Sequence, residues 1–399
     1  MTAASSKRST PSTPVYWLMM AYLFIPVLLY GFDVLDSNGP KFLAIAGLNL
    51  IGLGLLVFER GYKQVLDLFT EFFRRITALF YLLFFVISAL SVASAGNISE
   101  ALMNFSRTFI VFTAVLNIWM IFRRHPDYLI HLVVAMNLLL LFDSASVFYN
   151  VIMFTQGDLA SIMDIRSVYA HKNVLAAAIF VKLPAVLYLI FYRTDKIRWL
   201  AYSAGIAALI SILILSARAF YLGLVVLFLA LLAFTIVRFF KSGKREMLFI
   251  VLKWAGFLIG AVLIYSAVQV LFFPKGKDMV WNTDVISRLS TLRADESSTQ
   301  ARLNSWSWSL RLIGEEPLTG VGTGNWKIRV LKYENQIAPD FQYSLKAHND
   351  FLETTAETGI PGGVAYILVF GSVFFIFIRA TLRKDSEEQI RKLFIPALG

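Results

Sequence analysis

The feature that most constrains this chain is a series of apolar runs long enough to cross a membrane. About 20 apolar residues span the hydrocarbon core of a bilayer, and only helices and closed barrels satisfy their backbone hydrogen bonds there. Charged residues make up only 16% of the chain, against roughly 25% in soluble domains. Ten such runs lie at 15–32, 41–58, 76–95, 101–122, 128–150, 174–192, 197–215, 219–237, 247–273 and 361–379. The sequence therefore predicts an all-α, polytopic transmembrane helical bundle of about 10–12 spans.

The spans divide the chain into three regions. Residues 1–273 hold the first nine spans with short loops, residues 274–360 form one long polar loop, and residues 361–399 form a C-terminal transmembrane region. A further apolar run begins after Lys392. We therefore expect the C-terminal region to be truncated and to lack one or two helices. A long ordered loop is usually functional, so we expect the polar loop to be the catalytic part of the chain.

Lysine and arginine residues are concentrated in alternate connections, which predicts the orientation. Connections rich in these residues face the cytoplasm. One set of connections holds twenty lysines and arginines, and the short connections of the other set hold four. The four are Lys41, Arg166, Lys172 and Arg218. We therefore expect a bacterial inner-membrane protein whose loop 274–360 faces the periplasm, and the net charge of +11 needs no nucleic-acid partner.

Arg218 follows a very short connection between two apolar helices on the predicted outer side. A guanidinium at this depth matches two phosphate oxygens at once and suits the phosphates of a lipid carrier. The alternative is an arginine that only extends its charge to the interface. Arg302 lies in the long loop, and Arg288, also in the loop, is a possible supporting residue for which an ordinary surface role is favoured.

Two stretches of the long loop have helical spacing. Residues 300–313 place Leu303, Trp306 and Leu310 on one face, and residues 344–358 form a second helix that Gly359 ends. Trp306 and Trp308 either stack on sugar faces or anchor the loop at the interface.

His348 lies at the polar start of the second loop helix, directly before a span. A histidine is suited to proton abstraction near neutral pH, although a structural histidine is the simpler interpretation. Lys346 and Asn349 flank it as possible supporting residues. His171 and Lys172 open the sixth span from the same side, where they either line a polar entrance or accompany a helix cap at Asn173.

Two basic residues lie inside apolar runs, where an ionisable side chain is a functional hypothesis by default. Arg107 lies about two turns from the outer end of its span. Lys182 lies mid-span and either pairs with Asp143 or, together with Arg107 and Asp143, forms the polar pathway of a secondary transporter.

Metal and cofactor chemistry find little support in the sequence. The chain contains no cysteine, and the outer segments hold no paired carboxylate motif and no histidine cluster. The glycine-rich run 320–324 lacks the strand and helix that a nucleotide-binding loop requires, which favours a tight turn. We expect no metal ion and no cofactor, so arginines must stabilise any phosphate leaving group.

Several motifs in one stretch resemble the bacterial O-antigen ligase and polymerase superfamily, with the lipopolysaccharide ligase the most similar member. They are S-A-R at 216–218, A-R-L at 301–303 with Trp306, E-P-L-T-G-V-G at 316–322, G-N-W at 324–326, A-H-N-D-F-L-E at 347–353 and E-T-G-I-P-G at 357–362.

The resemblance implies a membrane-embedded glycosyltransferase that needs no metal and inverts the transferred anomeric carbon. The donor would be O-antigen on undecaprenyl pyrophosphate, and the acceptor a sugar hydroxyl of the lipid A-core. His348 would be the general base, and Arg218 and Arg302 would hold the pyrophosphate as it leaves. The alternatives are an O-antigen polymerase or a protein O-oligosaccharyltransferase of the same superfamily and, less favoured, a transporter or an envelope scaffold.

Overall fold

The computed structural model describes residues 13–29, 38–156, 165, 168–169, 171–193, 195–215, 217–242, isolated positions between 252 and 266, 297–335 and 343–382. Every regular element in these ranges is helical. The α-helices are, in chain order, α1 (Thr13–Leu28), α2 (Gly39–Arg60), α3 (Tyr62–Phe73), α4 (Ile76–Ser91), α5 (Ile98–Arg124), α6 (Tyr128–Gln156), α7 (Lys172–Tyr192), α8 (Ile197–Leu215), α9 (Arg218–Ser242), α10 (Ser297–Glu315), α11 (Trp326–Arg329), α12 (Leu331–Glu334) and α13 (Asp350–Leu382).

Within the described ranges, seven helices are long and apolar enough to cross a membrane, and they coincide with seven of the ten predicted runs. Two shorter apolar helices, Pro14–Leu28 and Ala219–Ala230, correspond to two further runs. Most of the run 247–273 lies outside the described residues. The predicted all-α, multi-pass membrane fold is confirmed.

The centre of the bundle is formed by α6, α7 and α8, which pack against one another along their lengths. Small residues on α8 let the neighbouring helices approach closely, as is usual in membrane bundles. Ala201, Ala204 and Ala208 are fully buried in this contact. The outer surfaces of α2, α4 and α13 expose large apolar side chains such as Phe58 and Phe374, as a lipid-facing surface requires.

The basic connections assigned to the cytoplasm meet at one end of the bundle. α3 is an amphipathic helix that buries Val65 and Leu68 against α5. On this helix Glu71 accepts a 2.7 Å hydrogen bond from Arg123 and lies 3.6 Å from Arg75. Two basic connections that are distant in sequence therefore share one side, as the predicted topology requires.

At the opposite end, the described parts of the long loop fold into a small apolar unit, which we call the cap (297–335 and 343–349). α10 and its neighbours form a cluster with the start of α13: Trp308, Leu312, Val321, Trp326, Val330, Tyr333, Ala347 and Ala356.

The structure confirms the first loop helix but corrects its buried face. Leu303 and Leu310 are exposed, and Trp308 and Leu312 are buried instead. The reason is that Ser309 faces inward, where its Oγ accepts the indole N–H of Trp326 at 2.9 Å. A polar side chain with a specific buried partner thereby shifts the helix face away from the one that leucine spacing predicts.

The second loop helix was predicted to run over 344–358, and that prediction is wrong at its start. Residues 343–349 are irregular, and the helix begins at Asp350 because the Asn349 side chain caps it. Gly359 ends the first helical part of α13, as predicted, because its φ of 72° and ψ of 174° are not helical. After this kink the rest of α13 forms the last described span.

Candidate functional site

A turn at residues 317–326, buried from Gly320 onward, ties the cap to the kink in α13. The backbone N–H of Val321 donates to Ala356 O at 2.9 Å, and that of Gly322 donates to Glu357 O at 2.9 Å. From the other direction, Ile360 N–H donates to Pro317 O at 2.7 Å. These bonds satisfy carbonyls that the kink in the helix would otherwise leave unpaired.

The glycines of this turn are required by backbone shape and by space. Gly320, Gly322 and Gly324 all have positive φ, a region that only glycine adopts freely. A Cβ on Gly320 would lie 2.4 Å from the Glu357 backbone, and one on Gly322 would lie 2.5 Å from Ala95. The tight-turn interpretation of the glycine run is therefore confirmed, and protein atoms fill the space that a bound nucleotide would need.

The other side of the turn docks on the connection between α4 and α5. Asn325 accepts the Asn97 N–H at 2.8 Å and donates to the Asn97 carbonyl at 3.2 Å. Lys327 forms a 2.5 Å ion pair with Glu100 in the first turn of α5. The cap is thus fixed to the ends of three apolar helices, α4, α5 and α13, that are long enough to cross a membrane.

His348 is exposed on the cap and has an unusual backbone conformation. Its φ is 53°, the only positive φ of a residue other than glycine in the described chain. This conformation costs of order 1–3 kcal/mol and persists only where neighbouring contacts impose it. Asn349 supplies one such contact, since its Oδ1 accepts the backbone N–H groups of Phe351 and Leu352 at 3.1 and 3.2 Å.

Two buried glutamates fix the segment that leads to His348, and the sequence analysis missed both. Glu353 accepts the backbone N–H of Ala347 at 2.8 Å and the Nζ of Lys346 at 2.7 Å. Glu334 accepts the N–H and the Oγ of Ser344, the latter at 2.8 Å. For Glu353 the signal was available, because a glutamate in the first turn beside a capping Asn typically accepts backbone N–H groups that precede the helix.

The ammonium group of Lys346 is paired with the carboxylate of Glu353. Desolvation of its ammonium opposes the charged form, but Glu353, Glu357 and Asp350 together raise the pKa of Lys346. A supporting role for Lys346 is thus one of holding the loop through Glu353.

His171, at the start of α7, is close enough to the catalytic candidate to be affected by its charge. His171 caps α7, its Nδ1 accepting the backbone N–H of Asn173 at 3.1 Å, so the predicted cap at Asn173 is wrong. Partial burial, the charge of Lys172 and the charge of His348 lower the pKa of His171. The two histidines therefore lie within electrostatic range of each other. A neutral imidazole that accepts at Nδ1 carries its proton on Nε2 and presents it as a donor.

The predicted arginines differ in how far the structure describes them. Arg218 opens α9, but its side chain lies outside the described residues, as does Arg288 altogether. Within α9, the Tyr221 hydroxyl donates to the Leu213 carbonyl near the end of α8 at 3.0 Å. Arg302 is exposed on the first turns of α10.

The intramembrane residues separate into two places. Lys182 forms a 2.7 Å ion pair with Asp143, which confirms the pairing alternative. Arg107 is partly exposed on α5, and its guanidinium lies 5.4 Å from the ring centroid of Phe42 at the outer end of α2. Lys182 and Asp143 therefore satisfy each other inside the bundle.

Trp308 is only 7% exposed and forms part of the cap core, so it is not a platform for sugars. Trp306 is half-buried, with an Nε1 that has no hydrogen-bond partner in the part of the chain described. The described ranges hold no group of three or more acidic or histidine side chains arranged for a metal ion.

Comparison with known proteins gives two matches. Residues 203–367 match the family model described as O-antigen ligase. A 159-residue stretch is 23% identical to the exopolysaccharide production protein ExoQ of Rhizobium meliloti (strain 1021). This stretch covers 39% of the present chain and 32% of ExoQ. The match thus spans about a third of the relative's length. No solved structure matches the chain. The family match confirms the superfamily resemblance that the motifs predicted.

Proposed function

Because residues 203–367 match the O-antigen ligase family model in a multi-pass membrane protein, we propose that the chain is an O-antigen ligase. It transfers O-antigen from undecaprenyl pyrophosphate to a sugar hydroxyl of the lipid A-core. The observation that carries the proposal is the exposed His348, held at the end of the bundle by a cap fixed to three transmembrane helices. The charge bias of the connections supports a periplasmic location in the inner membrane.

The proposed step needs a base and a cationic site for the leaving group. The imidazole of His348 accepts the proton of the acceptor hydroxyl, and the oxygen attacks the anomeric carbon. The bond from that carbon to the pyrophosphate oxygen breaks, and the anomeric configuration inverts. The lipid pyrophosphate leaves with the electron pair. We assign its binding and charge stabilisation to Arg218 and Arg302.

His171 and Lys172 extend this proposed site on the opposite wall. The Nε2–H of a neutral His171 suits a phosphate or sugar oxygen, and the lysine adds positive charge to the same turn. Both residues lie at the start of α7, where Lys172 is buried and His171 lies within electrostatic range of the cap residue that we propose as base. We therefore propose that this turn contacts the pyrophosphate end of the donor.

A second candidate is supported by the relative named for exopolysaccharide production. In that case the acceptor is a growing glycan chain rather than the lipid A-core, as in a polymerase. A protein acceptor is the third variant of the same chemistry. The secondary-transporter alternative loses support, because Lys182 and Asp143 satisfy each other inside the bundle.

Reconstitution distinguishes these acceptors directly. The purified protein is placed in vesicles with lipid-pyrophosphate-linked glycan and supplied separately with lipid A-core, with a glycan-lipid or with an acceptor protein. The ligase proposal expects glycan on lipid A-core only, and expects its loss in His348→Ala protein that still inserts. Transfer to another acceptor, or full activity without His348, would contradict the assignment.

A further inference from the structure

A buried ion pair lies inside the bundle behind the His171–Lys172 turn. Lys182 on α7 donates to Asp143 on α6 at 2.7 Å and to the Ala178 carbonyl at 2.9 Å. The Asp143 side chain is fully buried, and that of Lys182 is 10% exposed. Charges at such positions are costly and are usually retained for a specific task.

Tyr169 connects this ion pair to the surface turn. Its hydroxyl donates to the two carboxylate oxygens of Asp143 at 3.3 and 3.4 Å. Its ring centroid lies 6.0 Å from the Nζ of Lys182 and 6.0 Å from that of Lys41. A tyrosine ring between two ammonium groups has a restricted orientation. Tyr169 stands two residues before His171, so its position limits where that histidine can lie.

A third helix holds the same stretch of chain. Lys41 in the first turns of α2 donates to the backbone carbonyl of Val168 at 3.2 Å. The stretch that carries Val168, Tyr169 and His171 is therefore attached to α2 through Lys41, to α6 through Asp143 and to α7 through the helix cap. None of these contacts uses an atom of the cap formed by residues 297–335 and 343–349. The His171–Lys172 turn is therefore positioned by the transmembrane helices.

We propose that Tyr169 and the Asp143–Lys182 pair are positioning residues, which hold His171 and Lys172 beside His348. The pair completes the site from within the membrane and does not carry a transported ion. The contribution to donor binding rests on the function proposed above, whereas the positioning of the turn does not.

Cysteine cross-linking tests the positioning without any substrate. The chain has no native cysteine, so the double variant His171→Cys/His348→Cys reacts with a short thiol-specific cross-linker only at the introduced pair. We expect efficient cross-linking in membranes, and a severalfold lower yield when Tyr169→Phe or Lys182→Met is added. The matched control Tyr149→Phe alters an exposed tyrosine on α6 and leaves the yield unchanged. Unchanged yields in the Tyr169 and Lys182 variants would overturn the positioning role.

Kinetics of the protein with both histidines intact test the consequence for the site. In the reconstituted transfer, Tyr169→Phe is expected to raise KM for the lipid-linked donor about tenfold and to change kcat much less. Lys182→Arg keeps a cation beside Asp143 and should restore most of the donor affinity lost in Lys182→Met. A variant that aggregates is distinguished by size-exclusion chromatography, and the neutral pair Asp143→Asn/Lys182→Met leaves no unpaired buried charge. If that neutral pair cross-links and binds donor as the unmodified protein does, the inference is wrong.

Discussion

The backbone N–H of Ala347 donates to the buried carboxylate of Glu353 at 2.8 Å. This one contact bends the chain back onto the first turn of α13 just before His348. The histidine that follows has a positive φ of 53°, and its side chain is exposed. The exposed imidazole owes its position to a carboxylate that does not itself contact a substrate in the proposed reaction.

Removing that carboxylate should impair transfer without removing the base. We expect Glu353→Ala to lower kcat about 100-fold, because a shift of about 1 Å in a catalytic group has that effect. Glu353→Gln should have a kcat between those of the unmodified protein and Glu353→Ala. Its amide oxygen still accepts the Ala347 N–H, but the ion pair with Lys346 is lost. The measurement is initial-rate transfer in vesicles at saturating donor.

The control for this prediction is Glu316→Ala. That carboxylate lies at the edge of the cap, 3.9 Å from Arg329, and makes no contact with the His348 segment. The Glu316→Ala variant should therefore transfer glycan at the rate of the unmodified protein. Equal losses in the two variants would mean that the effect comes from general damage to the cap and not from the Ala347 contact.

The glycine turn should be intolerant of a single methyl group. In Gly320→Ala the Cβ would lie 2.4 Å from backbone atoms of Glu357, and the residue would keep a φ of 67°. The positive φ alone, which is unfavourable for alanine, lowers the free energy of unfolding by about 1–3 kcal/mol. The steric overlap lowers it further. Gly314 in α10 has open space around it, so Gly314→Ala should raise stability by up to about 1 kcal/mol. Thermal unfolding in detergent compares the two, and similar shifts would refute the steric explanation.

Much of the fold was predictable because membrane spans carry their own signal. Length and apolarity fix each span, and lysine and arginine counts order the two sides. The buried pair of Lys182 and Asp143 was among the alternatives, since an isolated intramembrane charge needs a partner. The family motifs then located His348 and Arg302 in one loop.

The cap was less predictable, and the reason lies in its long-range contacts. Leucine spacing chose the wrong face of α10 because Ser309 pairs with Trp326, a residue outside that helix. The helix start at Asp350 depends on the local cap Asn349, but the conformation of His348 depends on Glu353 and on anchoring of Ser344 by Glu334. The proximity of His171 to His348 joins residues far apart in sequence, and no local pattern encodes it.

Transfer should proceed without divalent cations. The proposed leaving group is stabilised by Arg218 and Arg302, so millimolar EDTA should leave the initial rate in vesicles unchanged. Arg302→Ala should lower kcat by about 100-fold, comparable with the loss of one preorganised donor to developing charge. Arg302→Lys should recover only part of this rate, because an ammonium cannot form the two-pronged contact. Loss of activity in EDTA that added Mg²⁺ restores would contradict the arginine-only mechanism.

The position of His171 should make stability depend on pH. Partial burial, Lys172 and His348 lower the pKa of His171 in the folded protein below the ordinary 6.5. As the pH falls through about 6.5, the unfolded chain binds a proton before the folded chain does, so the free energy of unfolding decreases. Above that pH His171 does not contribute to the pH dependence of the free energy of unfolding.

His171→Asn keeps a capping side chain that does not titrate, so the free energy of unfolding of this variant should fall less steeply between about pH 7 and pH 5. His348→Asn removes one of the charges that lower the pKa, so its slope should lie between the two. Thermal unfolding of the three proteins across this range measures the effect, and identical slopes would show that His171 and His348 are not electrostatically coupled.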